Sequence, residues 1–295
     1  MNNIKPPVPL HLHHQYDRLD GMLKIDEAVE FCVKNNIPAC AMTLHGKFEG
    51  WLKFYKTCIN RKIKPLIGYE AYVKNHNAKK LFHITLLPKN HNALSVLFKK
   101  VNKKVIKQQK SGGKIRIEFT LKEILQMKDI IVLSGCLAGI LNNHDDPEKV
   151  TLLLKKHLGD NFYLEMQTFT NEDQRNHNYM LLSFAEKYNI KYVITSDSHY
   201  SDPDDAEAQK YMMASAINKK MSDMKYFAED DFYMYNAERI MNNLNYLQDE
   251  VIYNAVENTY DIADQIDIKW NTEQVNMPQY KGDLEFCFGK TIHID

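Results

Sequence analysis

The chain has 295 residues, 44% hydrophobic and 26% charged, with 38 basic and 38 acidic side chains. That suits a globular protein of one large or two ordinary domains, with a core big enough to need no staples. Zero formal net charge excludes capture of nucleic acid by the molecule as a whole, so any such binding must come from a local patch. Five cysteines, odd in number and without a CxxC pair, argue against a disulfide framework and for a reducing cytoplasm. The N-terminus MNNIKPPVPL has no apolar signal core, and no apolar run approaches the roughly 18 residues of a membrane span.

In chain order, VPLHLHH (8–14) predicts a strand. IDEAVEFCVKNN (25–36) predicts a helix with Ile25, Ala28, Val29 and Cys32 on its apolar face. IPACAMTLH (37–45) follows as a second strand, FEGWLKFYKTCINRK (48–62) as a second helix, and KPLIGYEAYV (64–73) and LFHITLLPKN (81–90) as further strands. Helices are expected over 91–107 and 120–127, and the almost wholly apolar DIIVLSGCL (129–137) reads as a buried parallel strand. Helix 147–158, strand FYLEMQTF (162–169), helix 171–188 and strand KYVITSDSHY (191–200) complete the series. Repeated βα units of this kind predict a parallel sheet, open or closed into a barrel.

Residues 203–270 read as a helical extension packed on that α/β body, and 271–295 show no clear period. One local charge run, KKVNKKVIKQQKSGGKIR (99–116), carries eight basic residues and no acid. It reads either as a phosphate-backbone contact or as a solvated helix face leading into a loop.

Polar donors recur at strand after strand. His11 and His13 share one face of the first strand by alternation, and Asp20 follows it. His45 ends the second strand, Glu70 lies in the third and His83 early in the fourth. Cys136 ends the fifth, and Asp197 and His199 close the last at i, i+2. In a parallel α/β body, ligand residues collect at the carboxyl ends of strands. Nine buried polar groups without a common partner would each cost a few kcal/mol in lost hydration. A multinuclear metal site removes that cost. Imidazoles with a thiolate suit Zn²⁺, and bridging carboxylates also admit Mn²⁺ or Fe²⁺. Nine donors exceed one tetrahedral shell, so two or three divalent ions are expected. Two such ions about 4 Å apart are standard equipment for phosphate ester hydrolysis.

HLHHQYDRLDG, MTLHGKFEGWLKFYKTCINRKIKPLIGYEAYV, HITLLPKN, VLSGCLAG and VITSDSHYSDPDDAEAQ resemble successive motifs of the PHP (polymerase and histidinol phosphatase) domain. The version resembled stands at the N-terminus of bacterial and phage DNA polymerase III alpha subunits. Its pattern runs H-L-H-x-x-Y-S-x-L-D-G, T-D-H-G, I-G-x-E, a histidine before L-L-x-K-N, S-G-C-L-A-G and N-D-x-H-Y. The resemblance spans about residues 8–280. It implies an α/β fold, a distorted (β/α)7 TIM-like barrel over 1–202 with the helical extension 203–270 packed on it. The tail 271–295 resembles the linker toward a polymerase palm that these residues do not include.

The resemblance implies a trinuclear centre with ligands at His11, His13, Asp20, His45, Glu70, His83, Cys136, Asp197 and His199. The activity implied is a metal-dependent 3′–5′ exonuclease linked to replication and proofreading. A metal-bound water would attack, with no separate base assigned. The expected partners are DNA 3′ ends and a polymerase core or replisome proteins, in the cytoplasm and with no membrane. The same resemblance carries two alternatives: a phosphatase of small monoesters of the histidinol phosphatase type, and a metal-stabilised scaffold or split-polymerase fragment without catalysis. Leu44 stands where T-D-H-G has its aspartate, and Ile140 replaces an acid after CLAG. Lys47 replaces an asparagine after HG, and His14 a small polar residue. Both Lys47 and His14 are candidate substrate contacts, His14 also a spare ligand or simply an exposed histidine.

Overall fold

Helix boundaries follow local capping chemistry. Pro147–Leu158 opens with Asp146, whose side chain accepts from Lys149 N, followed by proline, and closes on Lys155, Lys156 and His157. Acceptors before a helix and cations at its end both oppose the exposed ends of the backbone dipole. Glu172–Tyr188 opens on Asn171 and closes on Asn189 in the left-handed region at φ 49°. The computed structural model describes residues 4–18, 20–74, 81–111, 117–223 and 231–271. The expected Gly-Gly loop at 112–116 and the tail beyond 271 lie outside the described residues.

In chain order the elements are α1 (Ile25–Lys34), β1 (Ala39–Met42), α2 (Trp51–Asn60), β2 (Lys64–Ile67), β3 (Tyr69–Lys74) and β4 (Leu81–Pro88). Then come α3 (His91–Ser111), β5 (Glu118–Thr120), α4 (Leu121–Leu125), β6 (Ile130–Leu133), α5 (Ile140–Asn143) and α6 (Pro147–Leu158). The chain continues through β7 (Phe162–Gln167), α7 (Glu172–Tyr188), β8 (Tyr192–Thr195), α8 (Ala206–Ala216), α9 (Ala237–Asn243) and α10 (Asp249–Gln265). Three elements, β5, α5 and α9, were not expected from the periodicity; each has seven residues or fewer, too short for a periodic signal to stand out.

Regular ladders form two sheets, β1-β2 and β5-β3-β4-β6-β7-β8. Residues 8–14 form no regular strand, only isolated bridges, which corrects the expected first strand. They pair on both sides all the same. His13 N donates to Ser198 O at 2.8 Å, Ala41 N to Pro9 O at 2.8 Å and Thr43 N to Leu12 O at 3.0 Å. On the other flank of β1, Glu70 N donates to Leu44 O at 3.1 Å and Gly46 N to Glu70 O at 2.8 Å. Pairing therefore runs from 8–14 through β1, β2 continuing into β3, then β4, β6, β7 and β8, and back to 8–14. This is the distorted α/β barrel. Gly68 joins β2 to β3 where a Cβ would stand 2.7 Å from the Leu87 side chain and 2.8 Å from that of Thr43, so any larger residue must displace both.

One strand breaks the expected parallel order. β4 runs antiparallel to both β3 and β6. Only residues 75–80 separate β3 from β4, and a parallel return needs a crossover of about a dozen residues. The remaining ladders, β1-β2, β3-β5, β6-β7 and β7-β8, are parallel.

Leu10, Leu12, Ala41, Met42 and Leu66 are buried in one cluster with Val29 of α1 and Phe54 of α2. A second cluster joins Ile84, Val132 and Leu164 to Leu154 and Leu181 of α6 and α7. Each large aliphatic group so buried contributes roughly 1.5–3 kcal/mol. α10 enters both clusters, through Ile252 and Ala255 at one end and Ile262 and Ala263 at the other. It also fastens the N-terminal segment. Val8 N donates to Thr259 Oγ1 at 2.9 Å and Tyr260 OH to Pro6 O at 2.7 Å. Among the described residues no helix is long and apolar enough to cross a membrane.

α7 buries His177, and neither ring nitrogen has a hydrogen-bond partner. Burial pulls the ring down to about 4, so the native state refuses a proton that the unfolded chain accepts below about 6.5. Stability is thus complete above pH 6.5 and falls as the pH drops toward 4, by about 3 kcal/mol if nothing relaxes. His177→Leu is expected to flatten that limb: the urea midpoint of the variant should vary less between pH 6.5 and 4 than that of the parent protein.

Candidate metal centre

All nine donors converge at one end of the barrel. Glu70, on β3, is the hub. Its Oε1 lies 2.9 Å from His83 Nδ1 and 3.4 Å from His11 Nε2. Its Oε2 lies 2.9 Å from His45 Nε2 and 3.3 Å from His13 Nε2. Asp197 Oδ1 stands 3.3 Å from both His11 Nε2 and His13 Nε2. Asp20 joins His45 Nδ1 at 2.8 Å and His199 Nε2 at 3.5 Å. Cys136 Sγ lies 3.7 Å from His83 Nδ1 and 4.0 Å from Glu70 Oε1. Among the described residues, three groups have donor atoms within 4.8 Å of one another: His13, Asp20, His45 and His199; His11, His13 and Glu70; and His45, Glu70 and His83.

Backbone turns aim several of these groups. Gly135 has φ 88°, and a Cβ there would meet the His83 carbonyl oxygen at 2.7 Å. Glycine lets that turn close on β4 and brings Cys136 beside His83. Asp197 lies two residues beyond β8 at φ 48°, in the left-handed region. The regular alternation expected for Asp197 and His199 is therefore absent. A left-handed aspartate, which tolerates that conformation better than most residues, turns both side chains inward.

Four buried atoms, His11 Nε2, His13 Nε2, Glu70 Oε2 and Asp197 Oδ1, face one another without a well-directed hydrogen bond, although His45 Nε2 stands 2.9 Å from Glu70 Oε2. Each costs on the order of 1–3 kcal/mol if left so. Their spacings of 3.3 Å match two ligands each about 2.0–2.1 Å from a tetrahedral ion. The donor set therefore fits divalent cations. The metal-free charges agree with this. Burial and neighbouring His45 oppose a charge on His13, yet Asp17, Asp197 and Glu70 outweigh them and push the ring up to about 10. Burial also opposes ionisation of Glu70, but His45, His83 and His11 hold it well below the usual carboxylate range. Burial, then Asp197 and Glu70, push the Cys136 thiol well up, and a coordinating cation would reverse that.

Two carboxylates behind the rings were missed in the sequence. Glu165 Oε1 lies 2.6 Å from His11 Nδ1 and accepts from Thr195 Oγ1 at 2.7 Å, while its Oε2 accepts from Gly135 N at 3.1 Å. Asp17 Oδ2 lies 2.8 Å from His13 Nδ1 and 3.0 Å from His45 Nδ1, and accepts from His45 N at 2.9 Å. Such partners set the tautomer and direct the other nitrogen at a ligand. The signal for Glu165 was a lone acid inside the apolar strand FYLEM. The signal for Asp17 was its place four residues after His13.

Asp17 also bears on Leu44. The resembled pattern has serine at position 17 and aspartate at position 44; here the two positions carry aspartate and leucine. Leu44 is fully buried among apolar neighbours, and the carboxylates at His45 Nδ1 come from Asp17 and Asp20 instead. Lys47 Nζ lies 3.0 Å from Asp17 Oδ1. His14 is neither exposed nor among the converging donors. Its ring is buried and stacked on Phe54, and burial pulls it down to about 4.

The family model of the PHP domain matches residues 9–169. A DNA polymerase III alpha subunit of Borreliella burgdorferi is 28% identical, aligned over 95% of this chain and 25% of that protein. One from Deinococcus radiodurans is 31% identical over 80% of this chain and 19% of that protein. The chain thus spans about a quarter or less of the length of these relatives. A solved structure from Bifidobacterium adolescentis, provisionally named a metal-dependent phosphoesterase, aligns over 83% of this chain and 99% of that chain at 13% identity, with a TM-score of 0.45.

Proposed function

This chain belongs to the PHP domain family, and from that premise we propose that it is a metal-dependent phosphoesterase that removes nucleotides from DNA 3′ ends. The observation that carries the reading is the meeting of buried donor atoms of His11, His13, Glu70 and Asp197 without well-directed hydrogen bonds between them. In this reading His11, His13, Asp20, His45, Glu70, His83, Cys136, Asp197 and His199 hold two or three ions of zinc, manganese or iron. Bound there, such ions supply positive charge against a phosphodiester and acidify adjacent water. The protein's part is positional. Glu165 and Asp17 keep the Nε2 atoms of His11 and His13 turned inward. Asp17 also holds Lys47 beside the centre, within reach of a phosphate at its edge. No side chain is assigned as a separate base.

Relatives that are parts of DNA polymerase III alpha motivate DNA as substrate and a polymerase core or other replisome protein as partner, in the cytoplasm. Residues 1–202 would be the catalytic barrel and 203–270 its helical cover.

The test is elemental analysis of the purified chain, paired with a 5′-labelled single-stranded oligonucleotide and a mismatched primer. With Mn²⁺ or Zn²⁺ both should shorten from the 3′ end in single-nucleotide steps, and EDTA should stop this. His11→Ala and Asp197→Asn should lose metal and activity together. A metal-loaded protein that shortens neither substrate, or that turns over histidinol phosphate faster than any DNA, would overturn the reading.

A further inference from the structure

Glu165 and Gln167 stand two residues apart on β7 and so project from the same face of the strand. Glu165 backs His11. Gln167 serves a different donor: its Nε2 donates to Asp197 Oδ2 at 3.2 Å. The other oxygen of that carboxylate, Oδ1, faces His11 Nε2 and His13 Nε2 at 3.3 Å each. The carboxylate is thus divided, one oxygen tied to an amide and the other turned toward two imidazoles. Gln167 is buried, so solvent does not compete for the bond.

The fold fixes the residue that carries this amide. Asn178 of α7 takes both backbone groups of Gln167, its Oδ1 accepting from Gln167 N at 3.3 Å and its Nδ2 donating to Gln167 O at 2.9 Å. Asn178 in turn accepts from Gln174 Nε2 at 2.9 Å and donates to Tyr246 OH at 2.8 Å. Asp197 needs such a restraint. It lies beyond the end of β8 with φ at 48°, where strand geometry no longer aims its side chain.

Stability alone is a poor reason for a glutamine here. Its Oε1 is buried without a hydrogen-bond partner, and an amide left half satisfied in the interior is costly. Its nitrogen does what an apolar side chain cannot. A lysine or arginine could also hold Asp197, but its charge would oppose a cation at the same carboxylate. A neutral amide orients the carboxylate and leaves its charge intact.

We infer that Gln167 is a positioning residue of the centre, which turns Asp197 so that Oδ1 shares one cation with His11 and His13. This role rests on the phosphoesterase reading for the ions themselves, and it can be measured without hydrolysis.

The metal-free full chain is titrated with Co²⁺ against a chromophoric chelator, which resolves the successive binding steps, while the visible absorption of bound Co²⁺ is followed. Gln167→Met, close in size but without a donor, should weaken one step about ten- to a hundredfold, the usual effect of losing a partner behind a metal ligand. It should change the absorption band of that step and leave the other steps as in the parent. Gln167→Asn keeps an amide but withdraws it by one carbon–carbon bond, and should weaken the same step. Leu181→Ala, a core change on α7, should lower the urea midpoint without moving any step. Parent-like affinity at every step in folded Gln167→Met would overturn the inference. Equal weakening of all steps would do so too, because a loosened barrel affects every ion alike. One weakened step beside a parent chain that cleaves no phosphodiester would keep Gln167 in this role and remove the phosphoesterase. Cleavage by the parent with every step unchanged in the variant would do the reverse.

Discussion

Glu70→Gln is expected to empty the centre and lower phosphodiester hydrolysis by a hundredfold to a few thousandfold. Glu70 lies within 3.4 Å of four imidazoles. It is 1% exposed, so water cannot take its place. Removing one member of a buried charge cluster costs about 3–5 kcal/mol, which corresponds to that range in rate or affinity. Glutamine keeps the shape but replaces one acceptor oxygen with an amide that faces a histidine nitrogen. Two measurements check the outcome: metal content after dialysis, and the hydrolysis rate at saturating metal. The metal-free variant should also melt below the metal-free parent, since the histidines crowded around Glu70 would lose the charge that offsets their repulsion. Parent-level metal content in the variant would show that Glu70 is not the hub.

Asp17→Asn is expected to weaken metal binding ten- to a hundredfold with the nine donors intact, the usual effect of removing a carboxylate behind a ligating imidazole. One oxygen of Asp17 serves His13 Nδ1, His45 Nδ1 and the His45 backbone N–H. An amide oxygen in that place still accepts but carries no charge, and the amide nitrogen then faces Lys47 Nζ as a second donor. Asp17→Asn also releases Lys47, so its salt bridge should disappear. Competition against a chromophoric chelator gives the affinity, and Asp261→Asn, exposed and remote, serves as the control. Leu44→Asp should not rescue the variant. Position 44 is buried among apolar groups, where a new carboxylate has no partner and costs several kcal/mol. If Asp17→Asn binds metal as the parent does, Asp17 has no role in holding the centre.

Much of the architecture could be read before any coordinates, because its signals are local. α1, α6, α7 and α10 carry apolar faces at helical spacing, and Asp146 and Asn171 cap α6 and α7. The apolar run at β6 is a buried strand. Where regular geometry was assumed, it failed at particular residues. Residues 8–14 pair by isolated bonds rather than a ladder, and Asp197 leaves the extended region altogether. Strand alternation was thus the wrong reason for the inward aim of His199, even though the ring points inward.

By itself the sequence determined the types of the longer elements, the order of the donors along the chain and the chemistry each donor can offer. These depend on side-chain identity and on spacings of a few residues. Tertiary structure alone decided that β4 reverses, that Glu165 and Asp17 stand behind the rings, that His14 turns into the core, and that Gln167 meets Asp197. Each of those depends on which remote segments come into contact. A pattern of period two or 3.6 carries no record of its neighbours across the barrel.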